Sequence, residues 1–262
     1  MAPDGGAPAA RTARDGSPYP DRSSSAFEHD VRAMFTHIAH GYDWFDHLAS
    51  LGQDLLWRPR AIWALDRMRE GRPVRRILDI GCGPGSLTVL AARHYPGAEV
   101  VGADFTAAML REAEQRTAAD PARPRLRLAR ASALTLPFRA GAFDVAMSAF
   151  VVRNLPDLPR AFRELRRALA PGGTLLTLEI TEPASALVRW GFHTYFDTMV
   201  PFLGELVGSQ GPYRYLPESL RHLPGRDGML RLLEDAGFDP VRAVPQSLGI
   251  VTAYLAGVPT AR

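Results

Sequence analysis

Leu78-Asp79-Ile80-Gly81-Cys82-Gly83-Pro84-Gly85 is the stretch on which the fold of this chain turns. The run Arg76–Ile80 is short, largely apolar and closed by Gly81, while Leu87–His94 carries helical spacing, so the stretch reads as strand, tight loop, helix. Downstream, Val100–Ala103 predicts a second strand ending in Asp104, and Ala107–Thr117 predicts a helix with Met109, Leu110 and Ala113 inward. That completes a βαβ unit. Strands are expected again at Leu126–Leu128, Val145–Ser148 and Thr174–Glu179, with a helix over Leu158–Leu169 and a turn at Pro171-Gly172-Gly173. Met229–Ala236 reads as an amphipathic helix stopped by Gly237, and Val251–Leu255 as a last strand. Strands alternating with helices predict an α/β fold, a mostly parallel central sheet with helices on both faces.

Upstream, apolar residues recur at helical spacing from Phe27 to Met68: Val31, Met34, Phe35 and Ile38, then Leu55, Leu56, Ile62 and Leu65. Residues 1–25 are rich in Ala, Gly, Pro, Ser and Arg, lack an apolar segment and carry Asp4, Asp15 and Asp21, which predicts a disordered tail rather than a secretory or transit signal. The remaining 26–262 read as one domain, with a cofactor half over about 70–180 and an insertion over about 183–225. The chain is 262 residues long, and nothing in it repeats. No apolar run approaches the roughly 18 residues of a membrane span. All basic residues are arginine, and the formal charge is only +3. The arginine clusters at Arg123–Arg130 and Arg160–Arg167 are interleaved with apolar residues, so no nucleic-acid partner is expected. Cys82 is the single cysteine, which excludes an intramolecular disulfide and suits the reducing cytoplasm. His37, His40 and His47 lack further ligands at a metal-site spacing, so no metal is expected.

In an open α/β sheet, ligands bind beyond the carboxyl ends of the strands where the first loop and its neighbour diverge. Gly81, Gly83 and Gly85 let the backbone approach a small molecule there, and Asp104 at the next strand tip can accept bonds from both hydroxyls of a ribose. The constellation holds a nucleoside.

The segment from Leu78 to Gly85 resembles the first motif of class I S-adenosylmethionine-dependent methyltransferases more than a dinucleotide fingerprint, because Ser86 and Leu87 follow without the third spaced glycine. Leu136-Pro137-Phe138 with Phe143-Asp144-Val145, and Leu169-Ala170-Pro171-Gly172-Gly173, resemble later motifs of that family in the right order. The resemblance implies a Rossmann-like class I methyltransferase fold with S-adenosyl-L-methionine as cofactor. It assigns cofactor binding to Asp79, Gly81, Cys82, Gly83, Pro84, Gly85, Asp104, Phe105, Ser132, Ala133 and Ser148, with Asp79 helping to hold the methionine amino group. Ser132 stands where relatives usually have Asp or Asn, so adenine recognition is expected to lean on backbone groups.

Three further segments resemble the ubiquinone and menaquinone biosynthesis C-methyltransferases: Phe35 to Trp57 with Tyr42-Asp43, Val152-Arg153-Asn154-Leu155-Pro156-Asp157, and Tyr213-Arg214-Tyr215-Leu216-Pro217-Glu218-Ser219. The implied reaction is methylation of a ring carbon of a prenylated quinol, in which positioning does most of the work and a cation steadies the phenolate. By that resemblance Arg153, Asn154 and Tyr42 are the catalytic candidates, Arg153 as the cation, Asn154 orienting it or the ring oxygen, and Tyr42 closing the site. His193, Tyr195, Tyr213 and Tyr215 are substrate-binding candidates in or near an insertion rich in Trp190, Phe192, Phe196 and Phe202. That insertion reads as a roof for an isoprenoid tail, or equally as a homodimer surface or extra core, and peripheral membrane contact of the protein is left open. Other readings of the same residues remain. Arg153-Asn154 would equally anchor the Leu158 helix, and Tyr213 and Tyr215 would equally serve as packing. Phe45-Asp46 and Pro84-Gly85-Ser86 depart from the quinone-pathway pattern, which leaves a C- or O-methyltransferase tailoring a secondary metabolite as the second reading. A non-catalytic cofactor-binding module is the third.

Overall fold

A computed structural model describes residues 31–36, 50, 52–199, 219–220 and 223–260, without the side chains of Asp197 and Met199. Helix α1 (Asp54–Arg69) precedes β1 (Arg76–Ile80), α2 (Ser86–His94), β2 (Glu99–Asp104), α3 (Ala107–Thr117), β3 (Leu126–Arg130) and β4 (Phe143–Ala149). Then come α4 (Leu158–Ala168), β5 (Leu169–Ile180), α5 (Ala186–Thr194), α6 (Arg226–Asp235), β6 (Val241–Gln246) and β7 (Val251–Gly257). The strands form one seven-stranded sheet in the order β3-β2-β1-β4-β5-β7-β6. Pairing is parallel from β3 through β5, and β7 runs antiparallel to both of its neighbours. The strand order reverses between β1 and β4, which puts a crevice at their carboxyl ends.

Period-two alternation divides the sheet between two cores. On one face Ile77, Val100, Val145, Met147, Leu176 and Leu255 meet Ile62 and Leu65 of α1 and Leu87 and Ala91 of α2. On the other, Leu78, Ile80, Ala103, Ala146, Leu175 and Tyr254 meet Phe162 and Leu165 of α4 and Met229 and Leu233 of α6. A sheet covered on both faces explains why its inner strands read as continuous apolar runs. Asp79 is the exception on β1 and belongs to the site.

The structure corrects one expectation and adds to the sequence reading twice. In α1, Ile62 and Leu65 face inward while Leu55 and Leu56 are exposed, because Trp57, Ala61 and Met68 take the inner stripe. The Pro171-Gly172-Gly173 segment is not a turn ahead of a strand but a bulge within β5: Leu169 pairs with Phe143, and pairing resumes at Thr174 with Val145. A Cβ on Gly173 would lie 2.7 Å from the Ala170 carbonyl oxygen, so the bulge requires glycine there. Strand β6 escaped the sequence reading altogether. It is a largely exposed edge containing Pro245, paired only with β7, and so has no apolar run. Among the described residues, no helix is long and apolar enough to cross a membrane.

Candidate active site

The loop after β1 is bent by its glycines and tied to β2. The N–H groups of Gly81 and Cys82 both donate to the Ala103 carbonyl, at 2.7 and 3.1 Å. Gly81 has φ +66°, and a Cβ there would come within 2.7 Å of Val151 Cγ1 and closer still to its Cγ2. Glycine at this position lets the exit of β4 close against the loop. Gly85, at φ +89°, turns the chain into α2.

Asp104 ends β2 with its carboxylate pinned by backbone: Oδ2 accepts from Gly83 N–H at 3.0 Å and Oδ1 from Thr106 N–H at 2.8 Å. Burial raises its pKa, and those two N–H bonds act in the opposite sense. Asp79 is 1% exposed. Its Oδ2 accepts the Thr88 hydroxyl at 2.6 Å, while Oδ1 is buried with no hydrogen-bond partner. Burial pushes its carboxyl up to about 7, against the Thr88 bond and the Arg58 charge. A wholly buried carboxylate oxygen with no donor is an expensive group to keep unless a ligand satisfies it.

Both acids line one open cleft of about 1080 Å³. Gly81, Cys82, Gly83, Pro84, Phe105, Ser132 and Ala133 line it too, so most of the cofactor residues expected from the sequence converge. Gly85 and Ser148 are not on its wall. Ser148 is buried behind it, sharing a hydrogen bond of 2.9 Å with Thr177. The Ser132 hydroxyl accepts the Leu134 N–H at 3.2 Å, so its side chain is engaged in a local turn. Burial pushes the Cys82 thiol well up and keeps it neutral.

The expected catalytic pair divides. Asn154 lines the cleft, its Nδ2 donating to the Phe150 carbonyl at 3.4 Å. Arg153 lies off the cleft wall, 5% exposed, with Nη1 on Glu179 Oε2 at 3.2 Å and its guanidinium 5.6 Å from the Phe150 ring centroid. Glu179 closes the far end of β5 and is itself wholly buried, which raises its pKa against the Arg153 charge. His193 is exposed and pairs with Glu182 at 3.2 Å, and Tyr195 packs edge-on to Phe196; neither reaches the cleft. Tyr42, Tyr213 and Tyr215 lie outside the described residues, as do His37, His40 and His47. Among the described residues, no group of His, Cys, Asp and Glu is placed to hold a metal ion.

Three contributors went unnoticed in the sequence. Phe150, at φ +62°, carries Arg58 on its ring at 5.5 Å as well as Arg153, and Trp57 meets it edge-on at 6.1 Å. Arg58 immediately follows the Leu56-Trp57 pair, and Glu179 is a lone acid in an otherwise apolar strand. Those were the available signals.

Residues 23–257 match the model of the ubiE/COQ5 methyltransferase family. This chain belongs to that family. It is 40% identical over 227 residues to the demethylmenaquinone methyltransferase of Thermus thermophilus, covering 86% of this chain and 100% of that one. It is 38% identical to the ubiquinone/menaquinone biosynthesis C-methyltransferase UbiE of Syntrophotalea carbinolica, over 86% of this chain and 92% of that one. Solved structures share the fold at lower identity. The Haemonchus contortus phosphoethanolamine N-methyltransferase 2 aligns with TM-score 0.57 at 18% identity, over 77% of this chain and 53% of that one. The [4+2]-cyclase SpnF aligns with TM-score 0.57 at 18%, over 77% and 81%. A cyclase among the neighbours shows that the fold does not fix the chemistry. Family membership makes this ubiE/COQ5 chain a methyltransferase.

Proposed function

We propose that the chain transfers a methyl group from S-adenosylmethionine to a ring carbon of a quinol of the demethylmenaquinol type. The observation that carries the donor is the partnerless Asp79 Oδ1 in the same cleft as Asp104. The acceptor class rests on full-length identity to the Thermus thermophilus enzyme. S-adenosylmethionine supplies an electrophilic sulfonium methyl when bound. Asp79 would accept from its ammonium group, Asp104 from its ribose hydroxyls, and Phe105 with Ala131–Leu134 would enclose the base. Val31, Phe35, Phe150, Leu155 and Pro156 give the other wall an apolar surface suited to a flat ring.

Bound there, S-adenosylmethionine would supply its methyl group to the ring carbon and leave as S-adenosylhomocysteine, with the ring proton lost to water. Asn154 orients the ring oxygen, and the Arg153 charge, held behind Phe150 by Glu179, favours the phenolate that makes the carbon nucleophilic.

An isoprenoid tail leaves toward the insertion, where Leu187 and Trp190 are 78% and 70% exposed. With Leu248 at 79%, on the β6–β7 turn beside the N-terminus of α1, they supply apolar contacts to a membrane surface. A second copy of the chain on the same residues is the competing occupant. Incubation with methyl-labelled S-adenosylmethionine and demethylmenaquinol tests the assignment. Label in menaquinol supports it, and folded enzyme that binds the donor without transferring label to that quinol refutes the acceptor.

A further inference from the structure

Among the described residues, four charged side chains line the cleft, and they fall into two pairs of opposite sign. Arg32 lies over the Phe105 ring at 5.6 Å, at the Asp104 end. Arg58 lies over Phe150 at the other end, close enough for its charge to act on Asp79. The donor is a neutral ribose and base at one end and a zwitterionic amino acid at the other. Asp104 already matches the first, and Asp79 matches one charge of the second.

We propose that Arg58 is the subsite for the carboxylate of the donor's methionine moiety, forming with Asp79 a charge pair complementary to the ligand zwitterion. This rests on the reading of the cleft as the S-adenosylmethionine site. Arg58 is pre-organised for the task. Nη1 donates to Asp54 Oδ2 at 2.9 Å, and Asp54, 2% exposed, is held in turn by the Ser50 hydroxyl at 2.8 Å. The Phe150 ring supports the guanidinium from one face, so little side-chain entropy is lost when a ligand arrives. A planar guanidinium presents donors along several edges, enough to hold Asp54 and grip a carboxylate together. The arrangement also explains how the cleft tolerates Asp79: the ligand ammonium satisfies Oδ1 while Arg58 offsets the charge. Because the carboxylate is identical in S-adenosylmethionine and S-adenosylhomocysteine, Arg58 acts on affinity for both and not on the methyl-transfer barrier.

Calorimetric titration of the full chain with S-adenosylhomocysteine, its decarboxylated analogue and 5′-methylthioadenosine tests the subsite. The wild-type chain should prefer S-adenosylhomocysteine to the decarboxylated analogue by about ten- to a hundredfold. Arg58→Gln should abolish that preference and leave the affinities for the other two ligands unchanged. Arg58→Lys, the milder substitution, should keep a preference reduced severalfold. Equal wild-type affinity for the carboxylated and decarboxylated ligands overturns the proposal without any variant, and so does an Arg58→Gln that weakens all three ligands equally. Asp79→Asn should weaken both amine-bearing ligands and spare 5′-methylthioadenosine; if it does not, the ammonium assignment falls while the Arg58 result stands. A wild-type chain that binds none of the three removes the donor reading and the subsite together.

Discussion

Lowering the pH should detach the donor through Asp79 before it unfolds the protein. The carboxyl is fully buried, receives one hydroxyl bond from Thr88, and has its second oxygen facing no donor. Burial lifts it to about 7 in the ligand-free chain, against an ordinary value near 3.9. A ligand ammonium binds only the ionised form, so affinity for S-adenosylhomocysteine should be flat above pH 8 and fall below 7. By pH 5, about two units lower, the loss approaches a hundredfold, or about 3 kcal/mol at roughly 1.4 kcal/mol per unit. The effect on folding has the opposite sign. A carboxyl raised in the folded state costs nothing below its unfolded value and destabilises increasingly as pH rises toward the folded one, by up to about 4 kcal/mol above pH 7. Asp79→Asn should therefore raise the melting temperature of the ligand-free protein at pH 8, leave it unchanged near pH 4, and weaken the ligand at pH 8. Calorimetry from pH 5 to 8 and thermal denaturation from pH 4 to 8 measure both arms. An affinity independent of pH, or a pH dependence that survives in Asp79→Asn, would refute the reasoning.

Other substitutions probe the loop, the ribose end and the pair behind Phe150. Asp104→Ala should weaken donor binding by about 1.5–3 kcal/mol through lost charged hydrogen bonds, read by titration; unchanged affinity removes Asp104 from the ribose. Gly81→Ala should cost about 2–4 kcal/mol of stability, part from positive φ and part from the clash with Val151. Adding Val151→Ala should recover the clash and leave roughly 1 kcal/mol, so a double variant no more stable than the single would contradict the geometry. Arg153→Ala strands a buried Glu179 carboxylate and should cost about 3–5 kcal/mol, whereas Arg153→Met with Glu179→Leu should come close to wild-type stability. If Arg153 acts on the phenolate, that double variant binds donor normally and turns over slowly; normal turnover would make the pair structural.

Much of this architecture was legible because sheet strands covered on both faces announce themselves. β1 begins and ends where the apolar run Arg76–Ile80 does, and α3 runs over Ala107–Thr117 as its spacing predicts. The candidate cleft was legible for a related reason: an acid at a strand tip and glycines in the loop have few other uses at those positions. What stayed hidden had no local signature. β6 is held by β7 rather than by its own apolar residues, and Val241–Gln246 carries arginine and proline. The β5 bulge is decided by atoms far along the chain. Gly172 N–H donates to the Val258 carbonyl at 3.0 Å, and Val258 N–H returns to the Gly173 carbonyl at 2.8 Å. Arg58 and Glu179 lie far apart in the sequence, and Phe150 links Arg58 to the Arg153 that Glu179 holds.

Phe150 is where the two ends of the proposed site join. Its N–H donates to the Leu178 carbonyl at 2.7 Å, continuing the β4–β5 ladder, and its positive φ then swings the chain aside. That turn brings Val151 over Gly81 and delivers Arg153 to Glu179. A phenylalanine in this conformation costs on the order of 1–2 kcal/mol that a glycine would not. A glycine, however, would leave Arg58 and Arg153 without the ring both rest upon, at 5.5 and 5.6 Å, and would open a void beside Trp57. The strained backbone is thus retained for the sake of the side chain. One aromatic face fixes a cation beside the donor carboxylate position, and the same ring fixes a second cation behind the acceptor. Under the proposed assignment, one residue therefore fixes the spacing between the two cations on which in-line transfer would depend.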